Sequence, residues 1–248
     1  VFDGHNDLLL ALWRSDDLNG GSFISGRNKG HIDLPRCKTG KFDGGFFAMF
    51  VPAATVAPDS FWRRHPELIS FNMKKDKQRD SHELLNTAPI SQAYAYAATI
   101  EMMEIAHQLA KQHSDKVQIC TNSKDIKSGI EQNKIALLLH MEGAEAISAD
   151  LHELEVLYDK GLRSIGPVWS RKNIFAEGVN FTFPSTPNQG GGLTETGKKL
   201  VHFCNDKRIL IDLSHLNEAG FWEIANISDM PLIATHSNVH ELCPSPRN

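Results

Sequence analysis

The chain of 248 residues lacks any apolar run long enough to cross a bilayer: "LLLALW" at 8–13 and "IALLL" at 135–139 are its longest clean stretches, against the roughly 20 residues a spanning helix needs. It also lacks a basic excess. With 26 Lys and Arg against 30 Asp and Glu, its net charge is −4, which leaves no electrostatic footprint for nucleic acid. The one dense basic run, "KKDKQR" at 74–79, reads as a solvated loop. Cysteine is sparse: Cys37, Cys120, Cys204 and Cys243 are far apart and form no C-x-x-C pair. That spacing excludes a zinc ribbon and a dense disulfide scaffold, and the four read as reduced thiols. There is no internal repeat, no low-complexity tract and no Pro/Gly linker dividing the chain.

What is present suits one large α/β domain over residues 1–248. A hydrophobic content of 41% supplies a core, and single barrel domains reach this length. Short β-rich runs alternate with helical patterns. The strand candidates lie at 1–5, 44–53, 134–142, 162–169, 208–215 and 231–237. Rich in Ile, Leu and Val with little alternation, they read as a parallel sheet covered on both faces by helices. The clearest helix spans 90–113, where Tyr94, Ala97, Ile100, Met103 and Leu109 recur at helical spacing. Asp150 followed by Glu153 marks a helix start and Gly161 a stop, with further helices expected near 196–206 and 218–226. The Gly-rich stretch at 183–194 is read as an active-site loop.

Four of these strands run into metal-binding side chains: His5 and Asp7 after the first, Glu142 after the third, His215 after the fifth and His236 after the sixth. His5 and Asp7 are two apart, so on a strand they share a face. In a (β/α)8 barrel the C-terminal strand ends surround one mouth, where residues scattered in sequence converge. Burying a carboxylate without a partner costs several kcal/mol, so "LLLHMEG" and "ILIDLSH" need compensation where the apolar runs end. Histidine and carboxylate donors without thiolates suit zinc or a similar divalent ion, and five of them suit two ions sharing one carboxylate. Such a pair acidifies a bridging water and polarises a carbonyl, which points to hydrolysis. His140 shares the face of Glu142 but is expected to pack deeper. His31 is read as part of a structural loop, and the remaining histidines are assigned no role. Asn6, Asp212 and Ser237 are candidates to orient the ligands.

The segments "DGHND" at the start, "HMEG", "GLTETGKKLV" leading into "LIDLSH", and "ATHSNVHELCPSPRN" at the end resemble the renal or membrane dipeptidase family of the amidohydrolase superfamily, in order and spacing. The resemblance runs from Val1 to Asn248. It implies a distorted (β/α)8 barrel with two zinc ions: His5 and Asp7 on the first, His215 and His236 on the second, Glu142 bridging, and a bridging hydroxide attacking a dipeptide carbonyl. Arg247 matches the arginine that receives the substrate carboxylate, a role suited to its bidentate fork. Kidney-type members carry a substrate-contacting histidine near the end of the fourth strand; here stand Trp169, Ser170 and Arg171, and the segment resembles the N-R-x-N style of other members through Arg171 and Asn173, with Trp169 beside them as a further substrate-binding candidate. By the same comparison the chain reaches Asn248 after the sixth strand, before the two βα units that close the barrel and before an aspartate on the eighth strand that handles protons.

A zinc dipeptidase acting on a small dipeptide is therefore the expected function, with no nucleic-acid partner and no transmembrane segment. Two alternatives stay open: a related binuclear hydrolase acting on another amide, lactone or phosphoester, and a non-catalytic truncated homologue. A cytoplasmic location is favoured. Because the chain opens on Val1 and carries sequons at Asn180 and Asn226, a secreted or anchored form also stays open, as does a homodimer.

Overall fold

The computed structural model describes residues 1–69 and 86–248, so the basic run at 74–79 lies outside the described residues. Seven parallel strands form one sheet: β1 (Phe2–Asn6), β2 (Gly44–Phe50), β3 (Val117–Ile119), β4 (Ile135–Glu142), β5 (Leu162–Gly166), β6 (Leu210–Asp212) and β7 (Leu232–Ile233). The continuous path is β1-β2-β4-β5-β6-β7. The six expected strands make up this path, and β3 was not anticipated. It is three residues long, too short for periodicity to register. β2 pairs with β4 from Ala136 to Glu142, while β3 pairs with Ile135–Leu137 and β5 with the stretch from Leu139 onward.

β4 is buried at every position, as an Ile/Ala/Leu run in the middle of a covered parallel sheet must be. The last two strands are shorter than the expected 208–215 and 231–237 because side chains intercept their backbone. Asp212 accepts from the N–H of Ser214 at 3.0 Å and from that of Thr235 at 3.0 Å. An aspartate bonding the backbone two residues on forms an Asx turn, and His215 follows at φ 70°. Both chains therefore leave the ladder just before their histidines.

Helices α1 (Leu8–Arg14), α2 (Gly21–Ser25), α3 (Leu34–Thr39) and α4 (Asp59–Arg64) fill the first crossovers, followed by α5 (Gln92–Gln112), α6 (Ser123–Glu131), α7 (His152–Asp159), α8 (Glu195–Lys207) and α9 (Glu218–Ile227). Among the described residues five begin on a side chain that accepts a first-turn N–H, which satisfies a donor the helix leaves free: Asp33 for α3, Ser91 for α5, Asn122 for α6, Thr194 for α8 and Asn217 for α9. α7 starts one residue later than Asp150 suggested. Asp150 accepts from His152 N at 3.1 Å, Leu151 takes the cap position at φ 64°, and Glu153 reaches back to Ser148 N at 2.9 Å. The buried face of α5, including Ala98, Met102, Ile105 and Leu109, joins one apolar cluster with α1 and the strands.

β1 and β7 are the edges of this sheet and do not pair with each other. They nonetheless approach closely: a Cβ at Gly4 would lie 2.3 Å from the carbonyl oxygen of Thr235. Only glycine lets the first strand lie against the segment that carries His236.

Candidate metal centre

β4 is the centre of the site. His140 and Glu142 alternate onto one face of it, and the apolar run before them drives both into the interior. Glu142 is 6% exposed and His140 fully buried. Around the Glu142 carboxylate three histidines converge through the same ring nitrogen. His215 Nε2 lies 2.8 Å and His236 Nε2 3.3 Å from Oε1, whereas His5 Nε2 lies 3.6 Å from Oε2. Asp7 completes the group with Oδ1 3.7 Å from His5 Nε2. It takes the cap position just before α1 but accepts no helix N–H with its side chain, so its oxygens stay available. All five expected ligand residues are thus gathered in one place, and the two oxygens of Glu142 divide them into two groups.

The electrostatics differ from group to group. Burial alone would raise the Glu142 carboxyl, but the rings of His215, His236 and His5 around it hold it well below the ordinary range. Burial pushes His215 down to about 4 despite the pull of Glu142, so its ring is neutral at pH 7 and offers a lone pair. For His5, burial works against the charged form, yet hydrogen bonding to Asp7 and the charges of Glu142, Asp7 and Asp212 raise its pKa. His140 lies behind the cluster. Burial lowers it to about 4, Nδ1 meets Ser164 Oγ at 3.0 Å, and Nε2 is 3.5 Å from Asp212 Oδ2.

Several groups that position the ligands escaped the sequence reading. Ser170 Oγ meets His215 Nδ1 at 3.1 Å, Thr235 Oγ1 meets His236 Nδ1 at 2.8 Å, and Ser214 Oγ accepts from His236 N at 3.1 Å. Each hydroxyl stands one or more places from a named histidine or arginine, and no pattern separates it from an ordinary loop serine or threonine. Asp212, anticipated as an orienting group, accepts the Thr235 hydroxyl and lies 4.0 Å from His236 Nδ1. Burial would raise its carboxyl, but His140 and the Thr235 and Ser214 donors lower it. Asn6 ties the end of β1 to Phe46 O at 3.2 Å.

A divalent metal fits these residues. The donors are imidazole nitrogens and carboxylate oxygens with no thiolate among them, which suits zinc. Ligand atoms of His5, Glu142 and His236 lie within 4.8 Å of one another, and the buried His236 Nε2 has no hydrogen-bond partner. The cysteines stand apart from this chemistry: Cys37, Cys120 and Cys204 are buried thiols, and burial raises the first two to about 11.

The remaining candidates occupy different positions. Arg247 is half-buried with Nη1 unpartnered, and burial lowers its pKa against the pull of Glu142 and Asp212. It also borders a cavity of about 310 Å³ lined by Leu216, Phe221, Trp222 and Ser237 among others. Trp169 is buried between Phe50 (4.8 Å between centroids) and Phe181 (5.4 Å), 5.9 Å from His215. Arg171 is fully buried behind that ring. Its guanidinium lies 5.0 Å from the Trp169 centroid, donates to Val51 O at 3.0 Å and faces Glu145 at 3.4 Å. Asn173 holds its own loop, donating to Pro167 O at 2.9 Å and accepting from Phe175 N and Ala176 N. The Gly-rich loop is pinned through Asn217, which donates to Gln189 O and Gly191 O.

The chain is 42% identical over its full length to an uncharacterized protein in the PQQ-III 3′ region of Acinetobacter calcoaceticus, spanning 73% of it. It is 27% identical to dipeptidase verJ of Clonostachys rogersoniana, spanning 57% of that protein. Among solved structures, a metallopeptidase from Rhodobacter sphaeroides liganded with a phosphinate mimic of the dipeptide L-Ala-D-Ala superposes over the whole chain and 68% of its own, at 38% identity and a TM-score of 0.85. Among the described residues, no helix is long and apolar enough to cross a membrane. The sequence profile of the membrane dipeptidases, peptidase family M19, matches residues 1–248 from end to end, and the chain belongs to that family of metallopeptidases.

Proposed function

We propose that the protein hydrolyses dipeptides at a binuclear zinc centre, with His5 and Asp7 on one ion, His215 and His236 on the other and Glu142 shared between them. The observation that carries this reading is the convergence of three Nε2 atoms on the two oxygens of one buried carboxylate, at 2.8, 3.3 and 3.6 Å. Two zinc ions so held would acidify a water between them and polarise the scissile carbonyl.

The chain's own residues supply the rest. Glu142 stays ionised under burial and His215 stays neutral, so each is ready to bind cation without first losing a proton. Arg247, with a buried and unpartnered Nη1, receives the free carboxylate of the substrate and sets its distance from the metals. Trp169 forms an apolar wall beside His215. Arg171 supports that wall from behind.

The test is substrate choice. Arg247→Met should raise KM for free dipeptides such as L-Ala-D-Ala by the equivalent of roughly 2–5 kcal/mol, and dipeptide amides should be poor substrates of the unaltered protein. Equal turnover of free and amidated dipeptides would instead favour a metal hydrolase of another amide, lactone or phosphoester. Absence of zinc from protein purified without chelator would remove the metal reading altogether.

A further inference from the structure

The three histidines around Glu142 differ in what holds the nitrogen that faces away from it. His5 Nδ1 is buried with no hydrogen-bond partner. His215 Nδ1 meets the Ser170 hydroxyl at 3.1 Å, a group that can donate or accept by rotating. His236 Nδ1 meets the Thr235 hydroxyl at 2.8 Å, and here the direction is determined, because the single proton of that hydroxyl is given to Asp212 Oδ2. Asp212 is itself 1% exposed and accepts two further donors, the N–H groups of Ser214 and Thr235, on Oδ1. A buried carboxylate with donors on both oxygens can only accept. Thr235 Oγ1 is therefore left with lone pairs toward the imidazole, and the proton between them belongs to His236 Nδ1.

We propose that Thr235, oriented by Asp212, is a positioning residue that keeps a proton on His236 Nδ1 and so leaves Nε2 as the nitrogen that faces the metal centre. The inference rests on the zinc reading above for its purpose, but the Nδ1 proton is a property of the metal-free chain. The same aspartate fixes the His236 backbone as well as its ring. Asp212 accepts from Thr235 N, and His236 N donates to Ser214 Oγ at 3.1 Å, so β6 carries the segment that follows β7 where no ladder does. A neutral histidine in water favours the Nε2–H form, which would present a proton to the metal in place of a lone pair. A hydroxyl relay from Asp212 removes that alternative before zinc arrives, as outer partners of ligating histidines generally do.

The experiment is a comparison of Thr235→Val, Thr235→Ser and the unaltered chain by two measurements. In the metal-free protein, nitrogen-15 chemical shifts of the His236 ring should show a protonated Nδ1 in the unaltered chain and in Thr235→Ser, and a shift toward the Nε2–H form in Thr235→Val. Zinc affinity by chelator competition should fall roughly 10- to 100-fold in Thr235→Val and be largely restored in Thr235→Ser. Asp212→Asn, which changes the acceptor and keeps the Thr235 side chain, should perturb the same ring shifts. An unprotonated Nδ1 in the unaltered chain, or a Thr235→Val protein with unaltered ring shifts and unaltered zinc affinity, would overturn the proposal. So would equal losses in Thr235→Val and Thr235→Ser, which would show a steric role. A chain that binds no zinc would refute the proposed function, while the ring shifts would still decide the tautomer.

Discussion

The two halves of the metal centre are held by different means. On one side, His5 lies within β1 and Glu142 ends β4, a strand buried at all eight positions and registered with β2 from Gly44 to Phe50. On the other, β6 and β7 share only the pairs Ile211–Leu232 and Asp212–Ile233. His215 and His236 stand beyond those strands, and Ser170, Ser214, Thr235 and Asp212 hold them. A ladder aims a side chain through its two-residue alternation, whereas a histidine past the ladder needs separate hydrogen bonds to fix both its backbone and its ring. The first half should therefore be sensitive to packing and the second to single hydroxyls.

Removing the residue that joins the halves should have the largest effect. Glu142→Ala should reduce zinc content from about two ions per chain toward none, whereas His236→Ala should leave about one, beside His5 and Asp7. Elemental analysis of the purified variants measures both, and equal losses in the two would mean that the halves do not bind independently. Next comes the packing contrast. Leu139→Ala, at a fully buried position of β4, should cost about 2–5 kcal/mol of stability. Leu232→Ala, half-buried in β7, should cost roughly 1 kcal/mol. Urea denaturation checks the pair, and similar costs would erase the distinction drawn between the two strands.

The smallest effect concerns pH and the outer brace of the first half. Glu101 on α5 accepts from Trp13 Nε1 at 2.7 Å, from Arg64 Nε at 2.7 Å and lies 3.0 Å from His65 Nε2. Burial would raise its carboxyl, but Arg64, Trp13 and His65 hold it below the ordinary range. A carboxyl whose pKa is lower in the folded state contributes stability that is complete above its unfolded value, about 4.3, and is lost as pH falls through the folded value. Glu101→Gln should thus cost about 1 kcal/mol at pH 7, allowing for solvent screening of the partly exposed Arg64. It should cost less at pH 3, as read from urea midpoints at the two pH values.

The same contrast explains what could be read from the sequence. β4 and α5 are legible because long, strongly patterned segments report their own burial; Glu142, His215 and His236 stand out because each closes a segment that begins as an apolar run, and His5 and Asp7 by their two-residue spacing. Residues 213–215 and 235–237 were read as strand because nothing local shows that Asp212 will bond the backbone of Ser214 and, across the sheet, of Thr235. β3 lay below the length at which a period exists. The roles of Ser170 and Thr235 depend on which nitrogen of a neighbouring ring they meet, a matter of tertiary geometry. Arg171 and Asn173 were expected near the substrate by resemblance; the structure places Arg171 behind Trp169 and commits Asn173 to its own loop.

The central claim is that one carboxylate joins two metal sites, and it is tested most directly by anomalous diffraction at the zinc edge from crystals of the protein grown with zinc. The account predicts two peaks flanking Glu142, one on the Oε2 side within coordination distance of His5 and Asp7 and one on the Oε1 side within coordination distance of His215 and His236. A single peak bound by all three histidines, or no peak at Glu142, would contradict it.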